Sequence, residues 1–343
     1  MTVKVSVVIP VYNSENYIER CIQSLLNQQL NHCEFIFIND GSTDRSKQII
    51  ERYKKLDSRI LLINQSNKGV SAARNAGLSL CRGDYIGFVD ADDEVKGSMF
   101  EILYNKAAAG DIDLLISNFE SGKNLSNPTK YVKYAFPESV PLSKNMIVSY
   151  LLEKEDCNSV CNKLYKRSLL KKYNIKFPSH LSHGEDGFFN LNVSLNSVAI
   201  EYINFSGYLY RDVPGSATRN MVHNDYFKKA LSIYHHAVPE KCFHTISKSQ
   251  VELLQSKKLI KNVISYTYLY YSFFKTDGFK QKNRYVYQMI THPEVRKALA
   301  TSFPSYFKEV SKYEKALLIM IKIKSIIGIY VLMTYSLKKN NQM

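Results

Sequence analysis

The amino-terminal part of the chain alternates short apolar runs with amphipathic stretches, and this alternation restricts the fold more than any other feature of the sequence. Residues 3–11 are typical of a buried strand, and residues 15–29 show a helical pattern with one apolar face. The same order repeats, with strands at 33–39, 59–64 and 85–89 and helices at 43–53 and 69–80. Strands that alternate with helices predict an α/β fold with a mostly parallel sheet, whose ligands bind at the carboxyl ends of the strands.

Beyond residue 100 the pattern is less regular, although 343 residues suffice for about two domains. We predict a strand at 113–119, a polar loop at 121–129 and helices at 143–152 and 162–173. From residue 225 onward the pattern is helical and rich in Lys and Tyr. The sequence therefore predicts two regions, residues 1–224 and a helical region at 225–343.

The positive charge of the chain is concentrated in the second region. Residues 225–343 carry 20 Lys and Arg against 7 Asp and Glu, a net charge of +13. Residues 1–224 carry 26 against 24, a net charge of only +2. Such a field attracts an anionic partner, and a membrane leaflet, a lipid-linked phosphate and nucleic acid are the candidates. The six cysteines contain no CxxC pair and follow no signal peptide, which favours a reducing cytosol.

An acidic triplet, Asp90, Asp92 and Asp93, closes the apolar run at 85–89. Carboxylates at the carboxyl edge of a sheet are suited to a cation, and Mg²⁺ or Mn²⁺ commonly bridges such oxygens to substrate phosphates. The alternative is a solvated turn or a helix N-cap. We predict a cation site here.

Other polar residues also follow predicted strands. Tyr12 and Asp40 lie on adjacent loops, where a ring and a carboxylate can hold a flat base, and Gly41 permits close backbone approach. The segment NKGVSAARNAG at 67–77 opens a helix, and Lys68 and Arg74 in it can neutralise a pyrophosphate. The alternatives are a turn with a helix cap at 40–44 and solvated basic side chains.

Four segments in order, VSVVIPVYNSENYIERCIQSLLNQ, FIFINDGSTDRS, NKGVSAARNAG and GDYIGFVDADD, together resemble the family 2 glycosyltransferases of the GT-A fold. The resemblance covers roughly residues 3–100 and implies a Rossmann-like nucleotide-diphospho-sugar transferase that inverts the anomeric carbon. It implies a nucleotide-sugar-binding half at 1–100, an acceptor half at 101–224 and Mn²⁺ or Mg²⁺ at the DxD carboxylates. By position, the nucleotide-sugar contacts would be Pro10, Tyr12, Asp40, Asn67, Lys68, Arg74, Asp90 and Ala91, and Asp92 with Asp90 would ligate the metal.

The acceptor half contains further matches to this family. Glu185 and Asp186, within GEDGFF, resemble the motif that supplies the catalytic base. An inverting transfer needs a carboxylate to accept the acceptor's hydroxyl proton, and we assign Asp186 to that role with Glu185 as its orienting neighbour. The alternative is an acidic N-cap for the helix that begins near Gly187.

Two more segments resemble stretches of this family. In YLYRDVPGS at 208–216, the side chains of Tyr210, Arg211 and Ser216 would donate to the diphosphate as the loop closes, unless the segment is a surface turn. The stretch NKLY, with Asn162, Lys163 and Tyr165, is expected near the active site. His180 and His183 precede the base motif and either meet the metal or a phosphate or face solvent.

The resemblance implies a metal-dependent hexosyl- or N-acetylhexosaminyltransferase that uses a UDP-sugar in bacterial cell-surface polysaccharide biosynthesis, such as exopolysaccharide or capsule. The acceptor would be a polyprenyl-linked or polymeric glycan. A nucleotidyltransferase is disfavoured because residues 9–16, IPVYNSEN, contain no Gly-rich phosphate loop. A nucleic-acid-binding protein is disfavoured because the basic region lacks a recognised reading module.

The segment 316–337 is mostly apolar and is flanked by lysines. Its longest uncharged stretch, 325–337, has 13 residues, whereas a spanning helix needs about 20. We therefore expect a helix that lies on an anionic membrane surface or packs on protein. The first alternative places the chain in the cytoplasm, peripheral at the inner face of the plasma membrane.

Overall fold

The computed structural model describes residues 2–125, 127–138, 140–181, 183–213, 225–236, 238–273 and 279–340. The chain divides into two compact units. The first contains Met1–Leu151 and Glu155–Arg219, and the second contains Leu152–Lys154 and Asn220–Met343.

The first unit is built on a mixed sheet. Its strands are β1 Val5–Val11, β2 Cys33–Asp40, β3 Ile60–Gln65, β4 Tyr85–Phe88, β5 Glu94–Val95, β6 Leu114–Gly122, β7 Pro128–Val132, β8 Lys163–Lys166 and β9 Ile200–Arg211. The helices up to β9 are α1 Ile18–Leu26, α2 Ser46–Lys54, α3 Val70–Leu80, α4 Met99–Ala109, α5 Lys144–Glu153, α6 Arg167–Lys172 and α7 Glu185–Asn196. The strand order is β3-β2-β1-β4-β8-β6-β9-β5, and β7 pairs with β6.

The first four strands of this sheet are parallel, as the strand–helix alternation predicts. Beyond them the sheet is mixed, because β8 runs antiparallel to both β4 and β6 while β6 and β9 are parallel. Strands β1 and β2 are buried almost throughout, which accounts for their continuous apolar sequence. The α/β fold is confirmed, and the carboxyl ends of β1, β2 and β4 lie at one edge.

Helix α3 lies against this parallel half and approaches β1 closely. A Cβ on Gly77 would lie 2.3 Å from Val8 Cγ1, so only glycine allows the helix to pack this near the strand. Gly69 precedes the helix with a φ of +87°. The position of α3 fixes where Arg74 enters the site.

The prediction of a helix over residues 162–173 is wrong in its first part. Strand β8 occupies Lys163–Lys166, and only Arg167–Lys172 is helical. Leu164 and Tyr165 are fully buried, and the strand pairs with β4 and β6. Tertiary pairing therefore overrides the local helical pattern. The predicted polar loop at 121–129 is shorter than expected because β6 runs through Gly122 and β7 begins at Pro128.

The second unit is helical in the residues that the structure describes, as predicted. It contains α8 Tyr226–His235, a short 3₁₀ helix at Glu240–His244, α9 Lys248–Phe273, α10 Phe279–Thr291, α11 Pro293–Glu309, α12 Lys312–Lys322 and α13 Ile326–Asn340. Its core has fully buried side chains from α9 to α13, such as Ile260, Met289, Ala298, Leu318 and Ile329. Among the described residues, no helix has both the length and the apolar character that a membrane span requires.

The single helix expected over residues 316–337 is in fact two helices. Lys324 adopts a φ of +59° between α12 and α13, and Arg296 donates to the carbonyl oxygens of Ile321 and Lys322, each at 2.8 Å. These bonds satisfy the carbonyl groups that a helix end leaves free. Both helices bury one face in the core of this unit, so packing on protein, one of the two alternatives, is observed for that face.

Candidate active site

The loops after β1 and β2 are joined by hydrogen bonds at the carboxyl edge of the sheet. Asn13 adopts a φ of +46°, and its side-chain oxygen accepts from Thr43 N at 2.8 Å while its own N donates to Ser42 Oγ at 3.1 Å. Asp44 accepts from the backbone of Glu15 and of Ser46, each at 2.9 Å. The motif DGSTD therefore does serve as a turn and helix start, and it also fixes the loop that carries Tyr12. Tyr12 is exposed above this edge and Pro10 is half-buried.

The carboxylate of Asp40 ties the end of β2 to the start of α3. It is buried and accepts from the backbone N of Lys68 at 2.9 Å, from that of Gly69 at 2.8 Å and from Gln65 Nε2 at 2.7 Å. Since a carboxylate has about four acceptor positions, roughly one remains. The side chains of Asn67 and Lys68 beside it are exposed.

The backbone approaches closely at the same corner. Gly41 has a φ of +75°, and a Cβ there would lie 2.8 Å from Asn67 N. Both the positive φ and this distance require glycine, as the sequence suggested. The corner formed by the β2 end and the α3 start is therefore preorganised.

Arg74 connects the two acidic motifs of the site. Its Nη2 lies 2.9 Å from Asp90 Oδ1, and its Nη1 lies 2.6 Å from Asp186 Oδ1 and 3.6 Å from Glu185 Oε1. The Arg74 residue is only 3% exposed, and its guanidinium lies over the Phe177 ring, 5.3 Å from the centroid. The structure thus brings together the carboxylates at 90 and 186. The sequence had suggested Arg74 only as a pyrophosphate ligand.

Burial and mutual repulsion perturb the acidic groups of the site. Burial raises the pKa of Asp186 above its usual range, and Arg74 opposes this while Asp90 adds to it. Burial and the neighbouring Asp186 raise the pKa of Glu185 to about 7. Burial and the charge of Asp90 raise the pKa of Asp92 to about 6. Clusters of perturbed carboxylates in one place are typical of functional sites.

The third member of the triplet, Asp93, has a different environment. It is fully buried, accepts from Arg211 N at 2.7 Å and makes a short hydrogen bond with Tyr208 Oη. Tyr208 Oη also accepts from Asp90 N at 3.3 Å. Strand β9 therefore fixes the DxD turn, a role that the sequence did not reveal because the segment 208–216 drew attention to Tyr210 and Arg211 rather than to Tyr208.

The predicted phosphate contacts from residues 208–216 are only partly described. The guanidinium of Arg211 is buried, forms an ion pair with Glu94 and lies 5.6 Å from the centroid of the Tyr17 ring. Tyr210 is half-buried in β9, and Ala91 is buried within the DxD turn. Ser216 lies outside the described residues. The structure commits Arg211 to an internal pair, and its phosphate role stays a prediction.

Helix α7 carries the base motif, and Tyr165 of the NKLY stretch forms a hydrogen bond to it. Gly184 caps its start with a φ of +81°. Tyr165 Oη donates to Asn190 Oδ1 at 2.7 Å, and Asn190 Nδ2 donates to Asn158 O at 2.6 Å. Lys163 Nζ donates to Ser159 O at 2.5 Å. These buried bonds restrict how α7, and with it Asp186, can move.

Three further groups of side chains belong to this region. Asn162 is buried and donates to Tyr134 Oη at 3.1 Å, so it supports the core rather than lining the surface. His180 is exposed and His183 is half-buried. The ring of Phe189 on α7 stacks on that of Phe177 with their centroids 4.1 Å apart, and Arg74 lies over the Phe177 ring, an arrangement that the sequence did not indicate.

Asp92 is suited to a divalent cation. Within the part of the chain that the structure describes, it belongs to no ion pair, and its carboxylate lies beside that of Asp90 in a partly buried place. The described residues contain no cluster of three or more His, Cys, Asp or Glu side chains that would hold a metal alone. Mg²⁺ commonly binds one or two carboxylates together with substrate phosphates, and the donor set fits that arrangement.

Comparison with known proteins decides the family. The model for glycosyl transferase family 2 matches residues 6–174. EpsH of Bacillus subtilis, which is named as a glycosyltransferase, is 32% identical over 240 residues, which are 68% of this chain and 67% of EpsH. The chain belongs to glycosyl transferase family 2.

Other members of the family match a smaller share of their own length. The uncharacterized glycosyltransferase EpsJ of Bacillus subtilis is 37% identical over 217 residues, 62% of this chain and 62% of EpsJ. The glycosyltransferase GlyA of Streptococcus pneumoniae is 34% identical over 224 residues, 63% of this chain but 32% of GlyA. The matches therefore span less than two thirds of these relatives.

The fold of this chain is confirmed by comparison with a solved structure. Residues 1–349 of Staphylococcus aureus TarS superpose with a TM-score of 0.62 at 20% identity, covering 98% of this chain and 92% of that one. The GT-A fold and the helical carboxyl-terminal region predicted from the sequence are both consistent with this match.

Proposed function

We propose that the protein transfers a sugar, with inversion, from a nucleotide-diphospho-sugar to a hydroxyl of a lipid-linked or polymeric glycan in bacterial cell-surface polysaccharide biosynthesis. The observation that carries the proposal is the bridge from Arg74 to Asp90 and Asp186, because it unites a donor motif with a base motif. A poly(ribitol-phosphate) β-glucosyltransferase of Bacillus spizizenii, 34% identical over 201 residues, 57% of this chain and 30% of that protein, supports the pathway.

In this proposal Asp186 is the general base. It accepts the proton of the acceptor hydroxyl while that oxygen forms a bond to the anomeric carbon and the diphosphate departs from the opposite side. A single displacement of this kind inverts the anomeric carbon. Arg74 favours the ionised form of Asp186, which burial would otherwise disfavour. Glu185 Oε1 lies 3.6 Å from the same Arg74 Nη1 atom, and in this proposal Glu185 orients Asp186.

The donor would lie along the carboxyl edge of β1, β2 and β4. Tyr12 and Pro10 would flank the nucleobase of the donor. The remaining acceptor position of the Asp40 carboxylate would accept a hydrogen bond from the ring N–H of that nucleobase. The proposed contacts to the sugar and diphosphate are Asn67, Lys68, Arg74, Tyr210, Arg211 and Ser216. The solved TarS complexes with UDP and UDP-GlcNAc support a UDP-sugar, with a hexosyl or N-acetylhexosaminyl group.

Asp92 and Asp90 would hold Mn²⁺ or Mg²⁺. A bound divalent ion supplies charge neutralisation for the departing diphosphate. The protein would contribute two adjacent carboxylates and would keep the DxD turn rigid through the contact between Asp93 and Tyr208. This rigidity spares the transition state the free energy of reorganising the ligands.

We also place the protein in the cytoplasm, peripheral at the inner face of the plasma membrane, where lipid-linked acceptors lie. The net charge of +13 over residues 225–343 supports this location, because anionic leaflets attract basic surfaces.

The test of the transfer reaction is incubation of the full chain with a panel of UDP-sugars and Mn²⁺, with UDP release measured and the product anomer assigned by NMR. We expect slow UDP release and its loss by about 10²–10⁴-fold in Asp186→Asn, with UDP binding retained. Pyrophosphate release from a nucleoside triphosphate would instead indicate a nucleotidyltransferase. Nucleic-acid binding that survives moderate salt would indicate a nucleic-acid-binding protein, since purely electrostatic binding falls steeply with salt.

A further inference from the structure

Helix α13 is apolar on both of its faces. Its inner face buries Ile329 and Met333 completely in the core of the second unit. On the opposite side Ile327 is 79% exposed, Val331 58% and Tyr335 63%. These three residues are four apart, so they share one side of the helix, which we call the outer face of α13. A helix at a water-facing surface is normally polar on that side, and this one is not.

Lysines precede helix α13 in the sequence and also occupy its last turn, and no acidic residue accompanies them. Residues 315–343 contain five lysines, at 315, 322, 324, 338 and 339, and no Asp or Glu. Lys322 and Lys324 are exposed directly before the helix, and between them Ile323 is 61% exposed. The outer face and the residues directly before the helix therefore combine apolar anchors with positive charge. Together they are complementary to a partner that is negative at its surface and apolar beneath.

We propose that the outer face of α13, together with Ile323 and the flanking lysines, docks on the surface of an anionic lipid bilayer. The helix lies in the interface with Ile327 and Val331 among the upper acyl chains, and Tyr335 places its ring at headgroup level. The inference rests on the membrane location proposed above and is independent of the transfer reaction. It assigns that location to a defined surface of the second unit.

A second copy of this chain is the competing occupant of an exposed apolar face. A symmetric dimer through the outer face would place the same surface of both copies together. The interface would then gather Lys322 and Lys324 of both copies, and residues 315–343 contain no Asp or Glu to neutralise them. Lipid headgroups of negative charge remove this repulsion, so the charge pattern favours the bilayer.

The experiment is cosedimentation of the full chain with vesicles of phosphatidylglycerol and phosphatidylcholine, without donor or acceptor. We expect binding to these vesicles and much weaker binding to phosphatidylcholine alone. Val331→Ser should weaken partitioning on the order of tenfold through lost apolar burial, and Lys324→Gln about fivefold on anionic vesicles only. Val198→Ser is the matched control, because Val198 is 89% exposed on the first unit, and it should bind as the parent chain does.

The outcomes separate this inference from its alternatives. Failure of the parent chain to bind anionic vesicles, or equal binding by Val331→Ser and the parent, overturns it. Concentration-dependent dimerisation that Ile327→Ser abolishes, without vesicle binding, assigns the face to a second copy and also overturns it. UDP release is measured separately on the same protein preparations after a UDP-sugar and Mn²⁺ are added, which keeps the two proposals distinct. Vesicle binding without transfer refutes the transfer reaction alone, and transfer without vesicle binding refutes this inference alone.

Discussion

Arg74 holds carboxylates from two distant motifs, so its replacement by methionine tests the reasoning about the site. The substitution Arg74→Met keeps a long, unbranched side chain but replaces the charged guanidinium with an apolar thioether. It therefore removes the contacts of 2.9 Å to Asp90 and 2.6 Å to Asp186. The Arg74 side chain is 4% exposed, whereas those of Asp90 and Asp186 are 32% and 22% exposed, so solvent partly screens the two carboxylates and the cost should lie at the lower end of the range for a buried pair. Breaking a buried pair in this way costs about 3–5 kcal/mol of unfolding free energy.

The same substitution should move the pH dependence of transfer. An adjacent cation lowers a carboxyl pKa by about 1–3 units, so its removal should raise the pKa of Asp186 by about that amount. A general base works only when deprotonated, and the acid limb of kcat should shift to higher pH by about one to three units. Single-turnover UDP release across pH measures this shift. An acid limb at the parental position would refute the role given to Arg74.

Stability should change with pH in a defined direction. The pKa of Asp186 is raised in the folded protein, so the folded state holds an extra proton and its stability falls as pH rises through the interval above about 4. Removing Arg74 raises the pKa of Asp186 in the folded state further, so the pH interval over which stability falls becomes wider. The deficit of Arg74→Met should therefore be small near pH 4 and grow toward neutral pH, as measured by urea unfolding followed by tyrosine fluorescence, since the chain has no Trp.

Arg52→Met is the matched control, because the Arg52–Glu19 pair is largely exposed. Such surface pairs contribute about 0–1 kcal/mol, and neither the acid limb nor the pH dependence of stability should change. A loss of stability in Arg74→Met that does not depend on pH would contradict the electrostatic explanation.

Two further substitutions test the donor side. Asp92→Ala should keep the parental circular-dichroism spectrum but lose metal-dependent transfer, because it removes a proposed metal ligand rather than a core contact; undiminished UDP release would argue against that assignment. Gly41→Ala should weaken UDP binding measured by calorimetry, because its Cβ would lie 2.8 Å from Asn67 N at a φ of +75°. Gly69→Ala shares the positive φ but meets nothing within 4 Å, so an equal effect of both would rule out the steric explanation.

Much of the fold could be predicted from the sequence because its signals are local. Each strand–helix unit of residues 3–89 carries its own periodicity, and parallel strands joined this way place their carboxyl ends at one edge. The loops with Tyr12, Asp40 and Asp90 were therefore expected to lie together before any contact was known. The four ordered motifs also indicated the family, which the comparisons confirm.

Contacts between distant segments required the tertiary structure. Arg74 and Asp186 are 112 residues apart, and no periodicity in the sequence links them. Likewise, residues 163–166 have a helical local pattern but form β8, because pairing with β4 and β6 stabilises the strand more than local propensity favours a helix. Arg211 shows the same limit, since its buried pair with Glu94 depends on how β5 and β9 align.

Residues 316–337 show most clearly which properties the sequence determined and which depended on the tertiary structure. Its sequence determined that residues 316–337 are apolar, that lysines flank them and that they are too short in uncharged length to span a bilayer. Only the tertiary structure decided that the segment breaks at Lys324, that Ile329 and Met333 face the core and that Ile327, Val331 and Tyr335 face outward. The physical reason is that composition fixes how much apolar surface a segment has, whereas packing against distant helices selects which part of that surface is buried.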